Sequence, residues 1–236
     1  MKKQKMKALL FDMDGVLVDV SQSYRVAIKK TAEFFTGDDI SDKDIQVLKD
    51  KGGFNNDWDL TEELILKRGK TIDKQEIIDK FQEFYLGKGD GGLIQNERWI
   101  LDKKVLVELK RKFKLGIVTG RPKAEAEFAL RNNDMSDYFD VLVAMEDTVE
   151  QKPDPSPIRL ALKGLDCTEG FYIGDTIDDA KMAANAGIPF ILVRPPGVDV
   201  DIEKILSDTD TGFVLDDINE IKKVIEIEIS RTSKIK

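Results

Sequence analysis

The chain has 236 residues, of which 41% are hydrophobic and 35% are charged, and its formal net charge at pH 7 is -8. These values are typical of a folded globular protein with a sizeable core and room for a smaller second domain. A strongly acidic chain lacks the positive field that displaces counterions from a phosphate backbone, so we expect no general nucleic-acid binding.

The residue counts exclude several kinds of site. The chain contains no histidine, which removes Ser-His-Asp triads, Cys-His pairs and histidine-ligated zinc. Acid–base and metal chemistry must therefore rest on Asp, Glu, Lys, Tyr or water. The one cysteine, Cys167, permits no intramolecular disulfide and fits a reducing cytoplasm. Asp12 and Asp14 interrupt the apolar run behind the basic N-terminus, so we expect neither a signal peptide nor a membrane span.

The first predicted element is a short buried strand, Ala8 to Phe11, and a long helical segment follows it. From about Val20 to Gly91 strand patterns are absent. Amphipathic stretches predict helices instead, namely Tyr24 to Phe35, Asp42 to Lys49, Thr61 to Lys67 and Asp73 to Leu86. A glycine-rich cluster, Gly87 to Gly92, ends the segment. We therefore expect a helical domain at residues 20–91, inserted into a core domain made of residues 1–19 and 92–236.

Strand and helix patterns alternate over the rest of the chain. Apolar runs predict buried strands at Leu115 to Val118, Val141 to Val143, Phe171 to Ile173 and Phe190 to Val193, with an edge strand at Thr211 to Leu215. Helical patterns lie at Ala124 to Asn132, Ser156 to Lys163 and Asp178 to Asn185, and a last helix is expected from Asp217 onward. The alternation predicts an α/β fold in which helices cover both faces of a parallel sheet.

Polar side chains follow four of the predicted strands. They are, in chain order, Asp12 and Asp14, then Thr119 and Gly120, then Lys152, then Asp175 and Asp179. Because ligands bind beyond the carboxyl ends of parallel strands, we expect these residues to surround one crevice. Two carboxylates about 4 Å apart repel by roughly 4 kcal/mol at an effective dielectric of 20. A divalent cation removes that repulsion, and an all-oxygen site favours Mg²⁺.

These residue types suit phosphoryl transfer. One of Asp12 and Asp14 can attack phosphorus while the other donates a proton to the leaving oxygen and later takes one from water. The Thr119 hydroxyl and the Gly120 amide can hold phosphate oxygens. Lys152 can pair with the nucleophile and the phosphate as a point charge.

The segment Asp12-Met13-Asp14-Gly15-Val16-Leu17-Val18-Asp19 resembles the first motif of the haloacid-dehalogenase superfamily. Thr119, Lys152 and the pattern Gly174-Asp175-x-x-x-Asp179 are similar to the second, third and fourth motifs, in the same order. The resemblance implies a Rossmann-like core with a mobile helical cap. The place of the insertion is similar to that in the subgroup of phosphoglycolate phosphatases and β-phosphoglucomutases.

The resemblance also implies roles for the acidic residues. Asp12 is expected to be the nucleophile that becomes phosphorylated, and Asp14 the general acid and base. The implied magnesium ligands are the Asp12 carboxylate, the Asp14 backbone carbonyl and the Asp175 carboxylate. Asp179 is expected to act through water or by positioning Lys152.

Asp14 separates the reactions of the superfamily, because phosphatases and phosphomutases have this second aspartate and dehalogenases and phosphonatases lack it. We therefore expect a cytoplasmic, magnesium-dependent phosphatase of a small phosphorylated metabolite, monomeric or homodimeric, without nucleic-acid or membrane partners. Two alternatives stay open: a phosphomutase of the β-phosphoglucomutase type, whose cap histidine this chain lacks, and an inactive binding module. The natural substrate also stays open among phosphoglycolate, histidinol phosphate, sugar phosphates and others.

The polar segment Lys51 to Trp58 lies between two predicted cap helices. In the superfamily a loop at this place helps to choose the substrate, so Lys51 and Asn55 are expected to bind a polar or anionic group of the substrate. The alternative is an ordinary loop in which Trp58 is a packing anchor.

Four other residues near the motifs have less defined roles. Asp178 is interpreted as a solvated helix residue or a helix cap rather than a ligand, and is left out of the site. Arg121 follows the phosphate-binding turn and is expected either to assist there or to lie at the surface. Tyr24 and Arg25, in the first cap helix, either face the crevice or have packed or exposed roles.

Overall fold

A computed structural model describes residues 6–54, 56–88, 91–194, 201–207 and 212–234. Six strands form one parallel sheet in the order β5-β4-β1-β6-β7-β8. The strands are β1 (Lys7–Phe11), β4 (Phe113–Val118), β5 (Val141–Val143), β6 (Gly170–Gly174), β7 (Phe190–Val193) and β8 (Gly212–Leu215). The predicted α/β fold with a Rossmann-like parallel sheet is therefore confirmed.

Strand β1 lies near the middle of the sheet and sets the register of the site. Its last residue, Phe11, lies beside Ile117 of β4 on one side and Ile173 of β6 on the other. The residues that follow these three strands therefore leave the sheet at the same edge. This register brings parts of the chain more than 100 residues apart to one place.

Alternation along β1 divides the core into two apolar layers, as expected for a sheet covered on both faces. Leu9 and Phe11 pack into one layer, and Ala8 and Leu10 pack into the other. The first layer includes side chains of α5 (Lys103–Lys110), α6 (Lys123–Asn132) and α10 (Ile221–Lys234). The second includes side chains of α7 (Ser156–Gly164), α8 (Ile177–Ala186) and α9 (Ile202–Leu206).

Four helices after β1 pack around an apolar cluster of their own. They are α1 (Tyr24–Thr36), α2 (Asp42–Lys49), α3 (Asp57–Lys67) and α4 (Lys74–Leu86). Helix α3 begins at Asp57, four residues before the predicted start, because the Asn56 side chain accepts a hydrogen bond from the Trp58 amide and caps the helix. Residues 89 and 90 of the glycine-rich cluster lie outside the described residues. The division into two domains stays a prediction.

A second, two-stranded sheet connects the two ends of the helical segment. Strand β2 (Val18–Asp19) pairs antiparallel with β3 (Arg98–Trp99). Two residues are too few to produce an alternating pattern, so these strands were not predicted from the sequence. Short 3₁₀ turns lie at Leu93–Asn96, Ser136–Tyr138, Met145–Asp147 and Ile218–Glu220. Within the described ranges, no helix combines the length and the apolarity that a membrane span needs.

Candidate active site

Three carboxylates and one lysine meet at the carboxyl edge of the sheet. Asp12, Asp175 and Asp179 each offer a carboxylate oxygen, and these oxygens all lie within 4.8 Å of one another. The Lys152 ammonium lies 2.8 Å from Oδ1 of Asp12 and 2.7 Å from Oδ1 of Asp179. The side chain of Lys152 is only 2% exposed. Its charge is therefore poorly screened by water and acts strongly on both carboxylates.

Hydrogen bonds hold Asp179 in place. Its Oδ2 accepts from the amides of Asp175 at 3.2 Å and Thr176 at 3.1 Å, and from the Thr176 hydroxyl at 2.7 Å. Its Oδ1 accepts from the Tyr172 hydroxyl at 3.0 Å. Burial alone raises the pKa of Asp179, but the charge of Lys152 and these hydrogen bonds outweigh it, so the net pKa is lowered. Asp179 is thus a fixed negative charge that orients Lys152.

Glycine at position 174 allows Asp179 to approach. A Cβ atom at Gly174 would lie 2.5 Å from the Cβ of Asp179, closer than two such atoms can approach. Helix α8 therefore sits against the end of β6 because the residue there has no side chain. This contact gives a structural reason for the Gly-Asp pair of the fourth motif.

The other two carboxylates hold their charge less readily. Burial raises the pKa of Asp12 to about 7, with Lys152 lowering it and Asp179 and Asp14 raising it. Burial also raises the pKa of Asp175, with further contributions from the charges of Asp179 and Asp12. The cluster has three negative groups around one ammonium. A divalent cation would bring the sum to zero, so the donor set fits Mg²⁺.

Asp14 lies beside this cluster and contacts a different cation. Its Oδ1 accepts a hydrogen bond of 2.6 Å from Nε of Arg121 and also pairs with Nη2. Arg121 pairs on its other side with Glu97, at 2.9 Å. The side chain of Arg121 is 1% exposed, so the interpretation of Arg121 as a surface residue was wrong. Sequence patterns missed the pair because 107 residues separate its two members.

The turn predicted to bind phosphate, Thr119-Gly120, directly follows β4. The Thr119 amide donates to the Val143 carbonyl at 2.9 Å, which continues the pairing of β4 with β5. The Thr119 Oγ1 accepts a 3.2 Å hydrogen bond from the Arg121 amide. Gly120 lines the crevice, and α6 begins three residues later with Pro122 before its first turn. A helix N-terminus near the crevice favours an anion there.

Residues of the helical segment form the opposite wall of the crevice. Tyr24, Arg25, Lys49 and Trp58 line it together with Asp12 and Asp175. Lys49 pairs with Asp57 at 3.0 Å.

The structure describes one of the two residues predicted to bind substrate in the cap. Lys51 is exposed, and Lys49, two residues earlier, is the lysine at the crevice. Asn55 lies outside the described residues. Lys49 is the last residue of α2 and Lys51 lies beyond the end of that helix. The sequence pattern did not show which of the two lysines faces the site.

Asp178 makes a contact that the sequence did not indicate. Its carboxylate accepts from the Gly53 amide at 2.8 Å and 3.0 Å, and the residue is 4% exposed. The interpretation of Asp178 as a solvated helix residue was therefore wrong. The contact joins α8 to the cap loop, which we define as residues 50–54.

The comparison with known proteins identifies the class. The chain belongs to the haloacid dehalogenase-like hydrolases, a family that matches residues 9–193. The resemblance predicted from the four motifs is thus confirmed, and so is the expectation that the chain is an enzyme.

The similar proteins differ in how much of their length this chain covers. An imidazoleglycerol-phosphate dehydratase of Phytophthora nicotianae is 38% identical over 190 residues, which are 77% of this chain but 42% of that protein. This chain therefore spans less than half of that relative. The putative pyrophosphatase PpaX of Caldanaerobacter subterraneus subsp. tengcongensis is 28% identical over 225 residues, 94% of this chain and 96% of the relative.

Solved structures share the fold over most of the chain. Phosphatase Tt82 from Thermococcus thioreducens is similar with a TM-score of 0.63 and 31% identity, covering 82% of this chain and 94% of that one. The β-phosphoglucomutase of Clostridium difficile is similar with a TM-score of 0.74 and 20% identity, covering 98% and 100%. At that identity the second likeness shows the fold alone.

Proposed function

We propose that the chain is a magnesium-dependent phosphatase that hydrolyses a small phosphomonoester through an aspartyl-phosphate on Asp12. The observation that carries the proposal is the buried Lys152 between Asp12 and Asp179, with Asp175 within 4.8 Å. A nucleophilic carboxylate, a cation and two further carboxylates at one crevice are the parts that phosphoryl transfer to an aspartate requires.

Magnesium would be held by the carboxylates of Asp12 and Asp175 and, as the family resemblance implies, by the Asp14 backbone carbonyl. When bound, the ion supplies neutralisation of the phosphoryl charge. Asp179 already has four hydrogen-bond donors and the Lys152 ion pair. We therefore assign Asp179 to positioning Lys152 rather than to direct coordination.

In the first half-reaction an Asp12 carboxylate oxygen attacks phosphorus. A bond forms between that oxygen and phosphorus, and the bond from phosphorus to the leaving oxygen breaks. Asp14, starting protonated, gives its proton to the leaving oxygen so that an alcohol departs. Lys152, the Thr119 hydroxyl and the Gly120 amide would hold the phosphoryl oxygens.

In the second half-reaction water cleaves the aspartyl-phosphate. Asp14, now a carboxylate, takes a proton from the attacking water. The water oxygen bonds to phosphorus, and the bond between phosphorus and the Asp12 oxygen breaks. Inorganic phosphate and free Asp12 result, and Asp14 is protonated again for the next cycle.

The relatives favour hydrolysis over the mutase alternative. The PpaX relative is named a pyrophosphatase and Tt82 a phosphatase, whereas the mutase likeness concerns the fold. The chain also has no histidine to play the part of the mutase's cap residue. The PpaX name makes pyrophosphate a second candidate substrate, and it belongs in any substrate panel. We keep a cytoplasmic location and a monomeric or homodimeric state as proposals.

The direct test replaces the nucleophile. We expect Asp12→Asn to abolish hydrolysis of p-nitrophenyl phosphate in the presence of Mg²⁺, because an amide cannot form the phosphoryl intermediate. An exposed cap aspartate, Asp39, provides the matched control, and Asp39→Asn should keep full activity. Near-wild-type turnover by a folded, purified Asp12→Asn protein would end the proposal.

A further inference from the structure

A buried cluster of charged and aromatic residues lies beside Asp14. Its centre is Arg121, in the turn between β4 and α6, whose guanidinium faces Asp14 and Glu97. Burying a guanidinium is costly unless its charge and its N–H groups are satisfied. The partners of Arg121 therefore indicate its role.

The contacts of the guanidinium to Asp14 are directional. Nε and Nη2 both face Oδ1 of Asp14, with Nε at 2.6 Å. Two donors from a rigid, planar guanidinium hold that one oxygen in place. Because both contacts go to Oδ1, this geometry assigns proton transfer to the other oxygen, Oδ2.

Glu97 holds the opposite edge of the guanidinium. Nη1 and Nη2 of Arg121 donate to the two oxygens of Glu97, at 2.9 Å and 3.2 Å. Glu97 also accepts from the hydroxyls of Ser23 and Tyr85, each at 3.0 Å. The Tyr24 ring lies 4.9 Å from Cζ of Arg121 and stacks on Tyr85 at 4.3 Å. Arg121 is therefore fixed before it meets Asp14.

Asp14 itself has no comparable packing, because its side chain is 31% exposed towards the crevice. An exposed aspartate samples several rotamers, and a proton-transfer group is efficient only when it is held in reach of the reacting oxygen. We propose that Arg121 is a positioning residue that holds Asp14 with Oδ2 turned towards the leaving oxygen. This inference rests on the proposed phosphatase function.

A structural role for Arg121 is the competing explanation, since its partners include residues of the helical segment. The two differ in their dependence on the leaving group. A misplaced Asp14 slows only reactions whose leaving group must be protonated. Loosened packing slows the reaction of every substrate alike. The parameter kcat/KM reports the steps up to departure of the leaving group and therefore separates them.

The experiment compares two probes with the wild type and Arg121→Lys, in excess Mg²⁺. Lysine keeps the charge and loses the two-nitrogen contact. We expect kcat/KM to fall at least about tenfold more for phenyl phosphate than for p-nitrophenyl phosphate. Phenolate is a basic leaving group that needs a proton, whereas p-nitrophenolate departs without one. An equal loss for both probes would overturn the positioning role.

A double-mutant cycle on phenyl phosphate, the probe whose leaving group needs a proton, provides the second readout. If Arg121 acts through Asp14, Arg121→Lys should lower kcat/KM by less than about twofold in an Asp14→Asn background. An equal fold-loss of kcat/KM from Arg121→Lys in the wild-type and Asp14→Asn backgrounds would contradict the proposal. Tyr85→Phe is the matched control, because it removes one hydrogen bond to Glu97 and leaves the contacts of Arg121 in place. Its kcat/KM, relative to that of the wild type, should change by the same factor for both probes.

Two outcomes outside this comparison are also interpretable. If Arg121→Lys does not fold, Glu97→Gln provides a second variant that keeps Arg121. Its loss of kcat/KM should again be larger for phenyl phosphate than for p-nitrophenyl phosphate, by a smaller factor. An equal loss for both probes would overturn the positioning role. If the wild type hydrolyses neither probe, the proposed function itself fails. If the wild type is active and the variants lose kcat/KM equally for both probes, only the proposed positioning of Asp14 is contradicted.

Discussion

At the scale of single residues, Lys152 is the centre of the carboxylate cluster. This ammonium is the one positive group that contacts both Asp12 and Asp179 in the described part of the site. Removing one partner of a buried ion pair leaves uncompensated charge in a poorly solvated place.

We therefore expect Lys152→Met to lower the free energy of unfolding by about 3 kcal/mol at neutral pH without metal. The loss should shrink as the pH falls, because burial raises the pKa of Asp12 to about 7 and protonation removes the stranded charge. Urea unfolding at several pH values measures it. The control is Lys123→Met, which breaks an exposed pair with Asp147. Lys123→Met should leave the urea midpoint nearly unchanged. Equal losses of unfolding free energy in Lys152→Met and Lys123→Met would contradict the expected role of Lys152.

The sequence predicted which residues meet at the crevice better than it predicted what holds them in place. Asp12, Lys152 and Asp179 were assigned from motifs, and the structure brings them together. The burial of Arg121 and Asp178 was missed. Both depend on partners more than 100 residues away, and no local pattern encodes such a pairing.

At the scale of elements, the contact between α8 and the cap loop joins the core to the segment that lines the crevice. The Asp178 carboxylate accepts twice from the Gly53 amide, and Gly53 has a φ of 80°. A Cβ at the neighbouring Gly52 would lie 3.1 Å from the Asp178 carboxylate. The loop therefore packs closely on the core and places Lys49 and Trp58 at the crevice.

We expect Asp178→Ala to release this loop and to raise KM more than it lowers kcat, because the substrate-facing wall is then less ordered. A hydrogen bond to a charged group contributes roughly 1.5–3 kcal/mol, which bounds the KM change at about tenfold to a hundredfold. Asp178→Asn keeps one carbonyl acceptor and should show a smaller change.

Trp58 reports on the same loop. In a Trp99→Phe background its emission should shift to longer wavelength in Asp178→Ala, as water reaches the ring. Unchanged emission together with unchanged KM would show that the loop does not depend on Asp178.

Element types were predictable from the sequence, and their ends were less so. The strands of the parallel sheet are short apolar runs whose burial on both faces is encoded locally. The start of α3 depends on the Asn56 cap, and β2 and β3 exist because they pair with each other. Such features depend on single hydrogen bonds or on distant partners rather than on periodicity.

At the scale of the whole molecule, the acidic cluster links folding to metal and pH. Burial raises the pKa of Asp12 to about 7 and also raises the pKa of Asp175. In the folded, metal-free protein Asp12 therefore keeps its proton between about pH 4 and pH 7, where it has lost that proton in the unfolded chain. The contribution of these groups to stability is therefore favourable at low pH and is lost as the pH rises through that window.

Magnesium competes with those protons, so it should stabilise the protein more at about pH 8 than at about pH 5.5. Thermal unfolding with and without Mg²⁺ at both pH values tests this. Asp175→Asn is the matched variant, and its shift with Mg²⁺ should be small at either pH. An increment in Tm that is larger at the lower pH would contradict the assignment of the ion to these carboxylates.

The central claim is that Asp12 carries the phosphoryl group during turnover. The most direct measurement quenches the wild-type protein during hydrolysis of p-nitrophenyl phosphate with Mg²⁺, reduces it with borohydride and sequences its peptides by mass spectrometry. Borohydride converts an aspartyl-phosphate to homoserine, so we expect homoserine at position 12 and nowhere else, dependent on substrate. Active protein without homoserine at position 12, or with it at another aspartate, would contradict the mechanism.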